Sequence, residues 1–392
     1  MAAEQTGGRV RAASIIVGAL LTVYVLGRNI PLPGVVLEAV FPVDRPQGLL
    51  GLLSTSRVSR LSIFALGLIP LYTPMACLEI AKLLFPALAR WQIASARNFF
   101  RLNDYLRYTA LVLAATQGYS VALGISQANN LIADTPGEFV VSVAGTCVGA
   151  TALLIWLADR ISLQGVVNGF WLLWAFTYII ARPAIGVQML EIARNGGISQ
   201  GSVLFVGLFV LAAHAAIVVL NFVLIDKPLA LNDGESDADK ALQARLASMA
   251  IIWPPLLAYF VLYLLDSLGG IYASVYPSWL RHGALAHAGL NGALIMLFCY
   301  AYSRRWRMNW QNVGDVFSEE GMKNTGAPMP FWLLGLVLIA VCAGGELVDR
   351  YFSLPFLSGG TVTVVTVTVV MGIFRSWRSA KPAAPPHASS FG

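Results

Sequence analysis

The chain has 392 residues, 57% of them hydrophobic and only 12% charged, with a net charge of +6 and a mean hydropathy of +0.70. A soluble globular chain carries about 25% charged residues, so an ordinary soluble enzyme is excluded and a polytopic α-helical membrane protein is the default class. The excess of positive charge does not point to nucleic acid, because the basic residues are dispersed among apolar stretches and form no long basic run interleaved with aromatics.

A membrane-crossing helix needs about 20 apolar residues. Apolar windows predict ten spans, over 13–27, 63–84, 107–125, 139–157, 166–187, 203–225, 246–265, 285–302, 329–343 and 360–374. The first resembles a secretory signal, with two arginines ahead of an apolar run, but Arg28-Asn29-Ile30-Pro31 follows where a small-residue cleavage site would stand. A retained first span is therefore expected. The connection from Arg28 to Leu61 is too long for a tight turn and holds a small apolar run, Leu49 to Leu53. On the wet side of a membrane such a run should fold back into the protein.

Between the sixth and seventh spans, Asp226 to Arg245 reads as a polar linker with an acidic, turn-rich centre, Asn232-Asp233-Gly234-Glu235-Ser236-Asp237. In the tenth span, Thr361-Val362-Thr363-Val364 and Val365-Thr366-Val367-Thr368 alternate as a half-buried strand would. An open strand leaves its backbone unpaired in lipid, whereas a helix pairs its own and lets threonine hydroxyls bond carbonyls one turn back, so a helix is predicted. The tail Lys381 to Gly392, rich in Pro, Ala and Ser, is expected to be disordered.

An even number of spans puts both termini on one side. With that side cytoplasmic, the inner segments hold 18 of the 26 Lys and Arg residues, among them Arg90, Arg97, Arg101, Arg107, Arg375 and Arg378. This is the positive-inside bias, and the opposite orientation would violate it.

Candidate chemistry is sparse. The cysteines Cys77, Cys147, Cys299 and Cys342 lie in apolar stretches without CxxC spacing, so neither a disulfide framework nor a zinc site is supported. His214 stands alone in the sixth span and reads as a hydrogen-bonded packing residue. Glu79 and Lys82, three apart on one helical face, read as a snorkelling ion pair. Asp159-Arg160 reads as an interfacial anchor. No constellation of His, Asp and Glu of the kind a proton pump or membrane protease needs is visible, and no GxxxxGK[ST] loop for a nucleotide. Neither an enzyme nor a cofactor is expected, which leaves a channel, a transporter or a scaffold.

A resemblance narrows that choice. Leu61-Ser62-Ile63-Phe64-Ala65-Leu66-Gly67-Leu68-Ile69-Pro70 resembles the start of the second membrane helix of the SecY family, the core subunit of the bacterial protein-conducting channel. Asn103-Asp104-Tyr105-Leu106-Arg107-Tyr108 is similar to the family's Tyr-x-Arg-Tyr at the start of its third helix. Trp156-Leu157-Ala158-Asp159-Arg160-Ile161 with Gly165-Val166-Val167-Asn168-Gly169 resembles the junction of the fourth and fifth. Ile30-Pro31-Leu32-Pro33-Gly34 resembles the Pro-x-Pro-Gly after the first, and Leu354-Pro355-Phe356 with Gly359-Gly360-Thr361 the start of the tenth.

The resemblance implies an all-α, SecY-like fold with two inverted five-helix halves, 1–200 and 201–380, joined through a hinge at Arg194-Asn195-Gly196-Gly197 to Gly201. It implies an hourglass sealed by a pore ring at Tyr72, Ala76, Phe170, Trp174, Leu256 and Val365, opening sideways between spans two/three and seven/eight. A plug would lie at about 46–60, with Leu49, Leu50, Leu52 and Leu53. Three aromatics in a usually aliphatic ring make the seal bulkier, while still blocking ions by dewetting. Gln117, Asn168 and Ser248 match polar positions of the gate and pore, where such groups also serve as interhelical glue. Pro70, Pro74, Pro254 and Pro255 imply bent gate helices.

The implied function is a divergent SecY-like channel for unfolded polypeptides and signal sequences at the bacterial inner membrane, multi-pass with cytoplasmic termini. Its energy would come from a partner such as a SecA-like motor, and small SecE- and SecG-like subunits would clamp it within the membrane lipid. The alternatives are a non-conducting paralogue acting as a scaffold, and a small-solute transporter. Two departures imply a specialised role: Asp226–Arg245 is short and acidic where the family has a basic docking hairpin, and the segment from Asp315 to Gly326 runs on to Pro328 without the Gly-x-Arg-Pro-Gly motif. Arg304, Arg305 and Arg307 read as lipid anchors.

Overall fold

The structure, a computed structural model, describes residues 2–36, 61–127, 132, 135–165, 167–226, 237–271, 284–314, 331–352 and 360–379. The plug-like run Leu49, Leu50, Leu52 and Leu53, the acidic centre 232–236, the loop 315–330 and the tail 381–392 lie outside the described residues. In chain order the helices are α1 (Ala2–Arg28), α2 (Ile69–Leu84), α3 (Pro86–Ile93), α4 (Ala96–Ser126), α5 (Pro136–Leu163), α6 (Gly169–Arg194), α7 (Gln200–Asn221), α8 (Asp237–Ile271), α9 (Leu285–Gly314), α10 (Phe331–Phe352) and α11 (Gly360–Ser379). Each predicted window meets a helix of its own, α3 being the addition. The protein is an all-α, polytopic membrane protein.

Among the described residues, seven helices are long and apolar enough to cross a membrane, and the bent pair α2–α3 raises the number to eight. Ala12–Arg28 in α1 and Gly169–Ile180 in α6 are shorter apolar stretches. Among the described residues the count of ten full-length spans is therefore not confirmed.

Three boundaries depart from the sequence reading. The window 63–84 begins in turns, and the helix starts only at Ile69. Gly67 takes φ +53°, left-handed backbone that an α-helix cannot contain, and Pro70, with its missing N–H, fits the first helical turn. At the far end of α2 the chain bends by 115° into α3, where Pro86 cannot donate back to continue the helix. Asp237 to Arg245, read as linker, already belongs to α8.

The Thr-Val run is helical, as α11. Two of its hydroxyls reach neighbouring helices rather than their own carbonyls. Thr361 Oγ1 donates to Cys342 Sγ at 3.9 Å, and Thr368 Oγ1 accepts from Asn221 Nδ2 at 3.2 Å. A buried Asn with an unpaired N–H would cost 1 kcal/mol or more, about the scale of one lost hydrogen bond, so the threonine earns its place in an otherwise apolar stretch.

The Cα atoms fall into two compact units. One comprises Met1–Leu71, Arg107–Ala181 and Val369–Gly392, the other Tyr72–Leu106 and Arg182–Thr368. In the first unit the chain after α1 pairs with the chain before α2: Leu32 N donates to Leu61 O at 2.7 Å and Ile63 N to Ile30 O at 2.9 Å. Two of the sequence motifs thus form one short bridge. It delivers Leu32 to a core with Ala122, Phe139, Val140, Val143 and Cys147. Tyr24 stacks on Phe64 with ring centroids 5.7 Å apart and its hydroxyl meets Thr177 Oγ1 at 2.6 Å.

Two further motifs meet in this unit, where Arg107 Nη2 of α4 pairs with Asp159 Oδ2 of α5 at 2.8 Å. Asp159 therefore ties two helices besides marking the end of a span, and Arg160 lies over the Trp156 ring at 5.5 Å. Gly169 has a packing reason: a side chain there would run into the backbone carbonyl of Ala158.

In the second unit, Gly360 opens α11 against the backbone of Val341 and Cys342 in α10, where an added Cβ would come within 2.5 Å of a carbonyl oxygen. His214 donates from Nδ1 to the Val210 carbonyl one turn back at 2.7 Å, the packing role expected of it. The turn after α6 is a Schellman cap: Gly197 N donates to Ile192 O at 2.9 Å and Gly196 N to Ala193 O at 3.1 Å, with Gly196 at φ +76°. Ser199 then caps α7 by accepting from Ser202 N at 3.1 Å.

Candidate functional site

The expected pore-ring residues are found in both units. In the second unit, Tyr72 and Ala76 stand one turn apart on α2 and are both buried. The Tyr72 hydroxyl donates to the backbone carbonyl of Leu256 on α8 at 2.7 Å, and its ring meets Phe260 edge-on at 5.8 Å. A buried phenol needs a partner; this one finds it on a helix 184 residues away in sequence. Val365 is fully buried on α11. In the first unit, Phe170 and Trp174 share one face of α6 with ring centroids 5.8 Å apart, and Trp171 closes on Phe170 at 4.8 Å.

The three polar candidates are put to separate uses. Asn168 caps α6, its Oδ1 accepting from Phe170 N at 3.1 Å and Trp171 N at 3.3 Å. Gln117, half-buried on α4, holds its Oε1 buried without a hydrogen-bond partner. Ser248 is half-buried on α8.

Two polar clusters lie at opposite ends of the α9 span; the sequence reading foresaw the Glu79–Lys82 pair without its burial and missed the other. Glu79 and Lys82 do not snorkel: their side chains are only 14% and 8% exposed and they pair directly. Glu79 Oε2 also accepts from the hydroxyl of Tyr302 on α9 at 3.0 Å. At the other end of α9, His287, Glu346, Asp266 and Asn291 come together, a His/Asp/Glu constellation where none was expected. His287 Nδ1 lies 2.5 Å from Glu346 Oε1, and Nε2 lies 3.4 Å from Asp266 Oδ2. The partners come from three helices, so no single span displays the cluster. Asp266 and Glu346 also fall just beyond the ends of their apolar windows, where a carboxylate passes for a boundary. The spacing of His287 and Asn291, one helical turn apart in an apolar segment, was the available signal.

The comparisons with known proteins agree with this architecture. The family model described as SecY matches residues 62–374. The chain belongs to the SecY family. Relatives named protein translocase subunit SecY include that of Pseudomonas aeruginosa, 25% identical over 390 residues and covering 90% of this chain and 86% of its own. That of Escherichia coli is 23% identical over 404 residues, covering 92% and 89%. Among solved structures, one described as a protein conducting channel matches with a TM-score of 0.51 at 12% identity, over 95% of this chain and 94% of its own. The SecY fold thus extends over nearly the whole chain, and the family is one of translocation channels.

Proposed function

We propose that this protein is the pore subunit of a protein-conducting channel that passes unfolded polypeptides across, or sideways into, the bacterial inner membrane. The observation that carries the reading is the SecY family match over residues 62–374. The Tyr72–Leu256 hydrogen bond supports the ring assignment, because it joins two of the six expected ring positions. The Phe170–Trp174 pair supports it as well, since two aromatics one turn apart present a continuous bulky face. A dry collar of this kind resists ions by dewetting while yielding to an apolar or extended chain.

In this reading residues 1–200 and 201–380 are inverted halves, with the Schellman turn at Gly196-Gly197 as the hinge between them. Leu49, Leu50, Leu52 and Leu53 plug the outer side, and both termini face the cytoplasm. Small SecE- and SecG-like subunits brace the halves. A partner supplies the energy, as binding alone drives no net transport; a SecA-like motor acting here docks elsewhere than on the short segment Asp226–Arg245.

Photoreactive probes at Tyr72 and Trp174 in living cells test the assignment. Secreted or membrane chains trapped at both positions are the expected result. An empty pore in folded, expressed protein overturns conduction and leaves a scaffold.

A further inference from the structure

The cluster around His287 has no part in the translocation reading, yet it places ionisable groups where they are costly to keep. His287 is 3% exposed, Glu346 5% and Asn291 8%, while the Asp266 side chain is 32% exposed. Asn291 Nδ2 reaches Glu346 Oε2 at 3.4 Å, and its Oδ1 is buried without a hydrogen-bond partner. Asp266, His287 and Glu346 stand near the ends of their spans, and a buried ionisable group there is costly to keep unless it is paired.

The groups facing His287 can be named helix by helix. α8 brings Asp266 and α10 brings Glu346; α9 itself adds Asn291. Against α10, α7 presents the apolar Phe205 and Phe209, and α11 presents Gly360. Asp349 and Arg350 stand about one turn beyond Glu346 on α10, Arg350 being exposed; Arg182 of α6 lies within electrostatic reach of Asp349, and Tyr259 of α8 within reach of Asp266.

A neutral imidazole carries one N–H and one lone pair, whereas an imidazolium carries two N–H donors. With a carboxylate oxygen near each ring nitrogen, a neutral ring turns a lone pair toward one carboxylate, and only the protonated ring attracts both. The ligand that fits a ring with a carboxylate oxygen beside each nitrogen is a proton.

We propose that His287, Glu346 and Asp266 form a buried proton-binding site that ties α8, α9 and α10 together. With the proton bound, the imidazolium bridges the two carboxylates. On its release the proton leaves from a ring nitrogen to solvent past the half-exposed Asp266, and two carboxylates then face a neutral ring. The tie therefore weakens as pH rises.

The test is hydrogen exchange of the purified full chain in detergent at about pH 6 and about pH 8.5, corrected for the intrinsic pH dependence of amide exchange. Wild type, His287→Gln and Asp266→Asn are compared. At the lower pH, the first turns of α9 in wild type should exchange about fivefold more slowly than in either variant, the upper end for a partly exposed ion pair, and the difference should shrink at the higher pH. A wild-type-to-variant difference that is the same at both pH values overturns the proposal. Asp266→Asn, at the partly exposed member, keeps the test decisive if His287→Gln fails to fold.

Discussion

Replacing Lys82 with Met separates a buried ion pair from a solvated one. Glu79 and Lys82 have side chains 14% and 8% exposed, and Tyr302 donates to the same carboxylate. Lys82→Met leaves the Glu79 carboxylate in a poorly solvated place without its ammonium partner, and breaking a buried pair by removing one partner costs about 3–5 kcal/mol. That is a loss of at least about 100-fold in the folded-to-unfolded ratio. Tyr302→Phe removes one hydrogen bond to a charged acceptor, about 1.5–3 kcal/mol. The triple replacement Glu79→Leu, Lys82→Met, Tyr302→Phe removes the two charges and the phenol together and should recover most of the loss. Unfolding of the purified protein in mixed micelles, followed by tryptophan fluorescence, measures all three. If Lys82→Met costs less than about 1 kcal/mol, the range of a surface pair, the pair is solvated and the burial reasoning fails.

The close crossing at Gly360 predicts that Gly360→Val destabilises by about 1–3 kcal/mol, because its Cβ meets backbone that cannot swing aside. Gly124→Ala, where an added Cβ meets nothing within 4 Å, should be neutral or stabilising by up to about 1 kcal/mol in the same unfolding assay. Asn168→Ala should cost about 1 kcal/mol through the lost cap of α6, with Asn168→Asp recovering most of it. Phe170→Ala with Trp174→Ala should make proteoliposomes leaky to ions under the ring assignment; an intact seal in a well-folded variant would count against it.

Much of the fold was legible because membrane insertion imposes simple rules. Apolar length located every described helix except α3, and the demand for backbone pairing in lipid turned the alternating Thr-Val run into α11 despite its strand-like pattern. Motif positions were informative too. Leu61 and Leu32 pair across the bridge, Arg107 and Asp159 form an ion pair, and Gly169 and Gly360 lie where backbones approach closely. Helix starts and bends were less legible. Hydropathy averages over Gly67 and Pro86, although backbone conformation at those residues decides where α2 begins and ends. The least legible features were the polar clusters, since a pair such as His287 and Glu346 is 59 residues apart in sequence and burial depth is a property of packing.

The polar contacts of the second unit share a pattern. Glu79–Tyr302 and Tyr72–Leu256 each join different helices through a hydrogen bond amid apolar packing. In an apolar bilayer, burial against lipid and burial against another helix differ little, so apolar contact alone defines no unique closed arrangement. A hydrogen bond does, because its loss in a dry environment leaves both partners unsatisfied. Once water or an extended backbone enters, that penalty falls to about 1 kcal/mol per bond, as the new arrival supplies donors and acceptors. In the channel proposed above, polar ties of this kind would hold the closed state at rest and give way when a polypeptide supplies donors and acceptors, a demand that neither a wholly apolar bundle nor a permanently hydrated pore can meet.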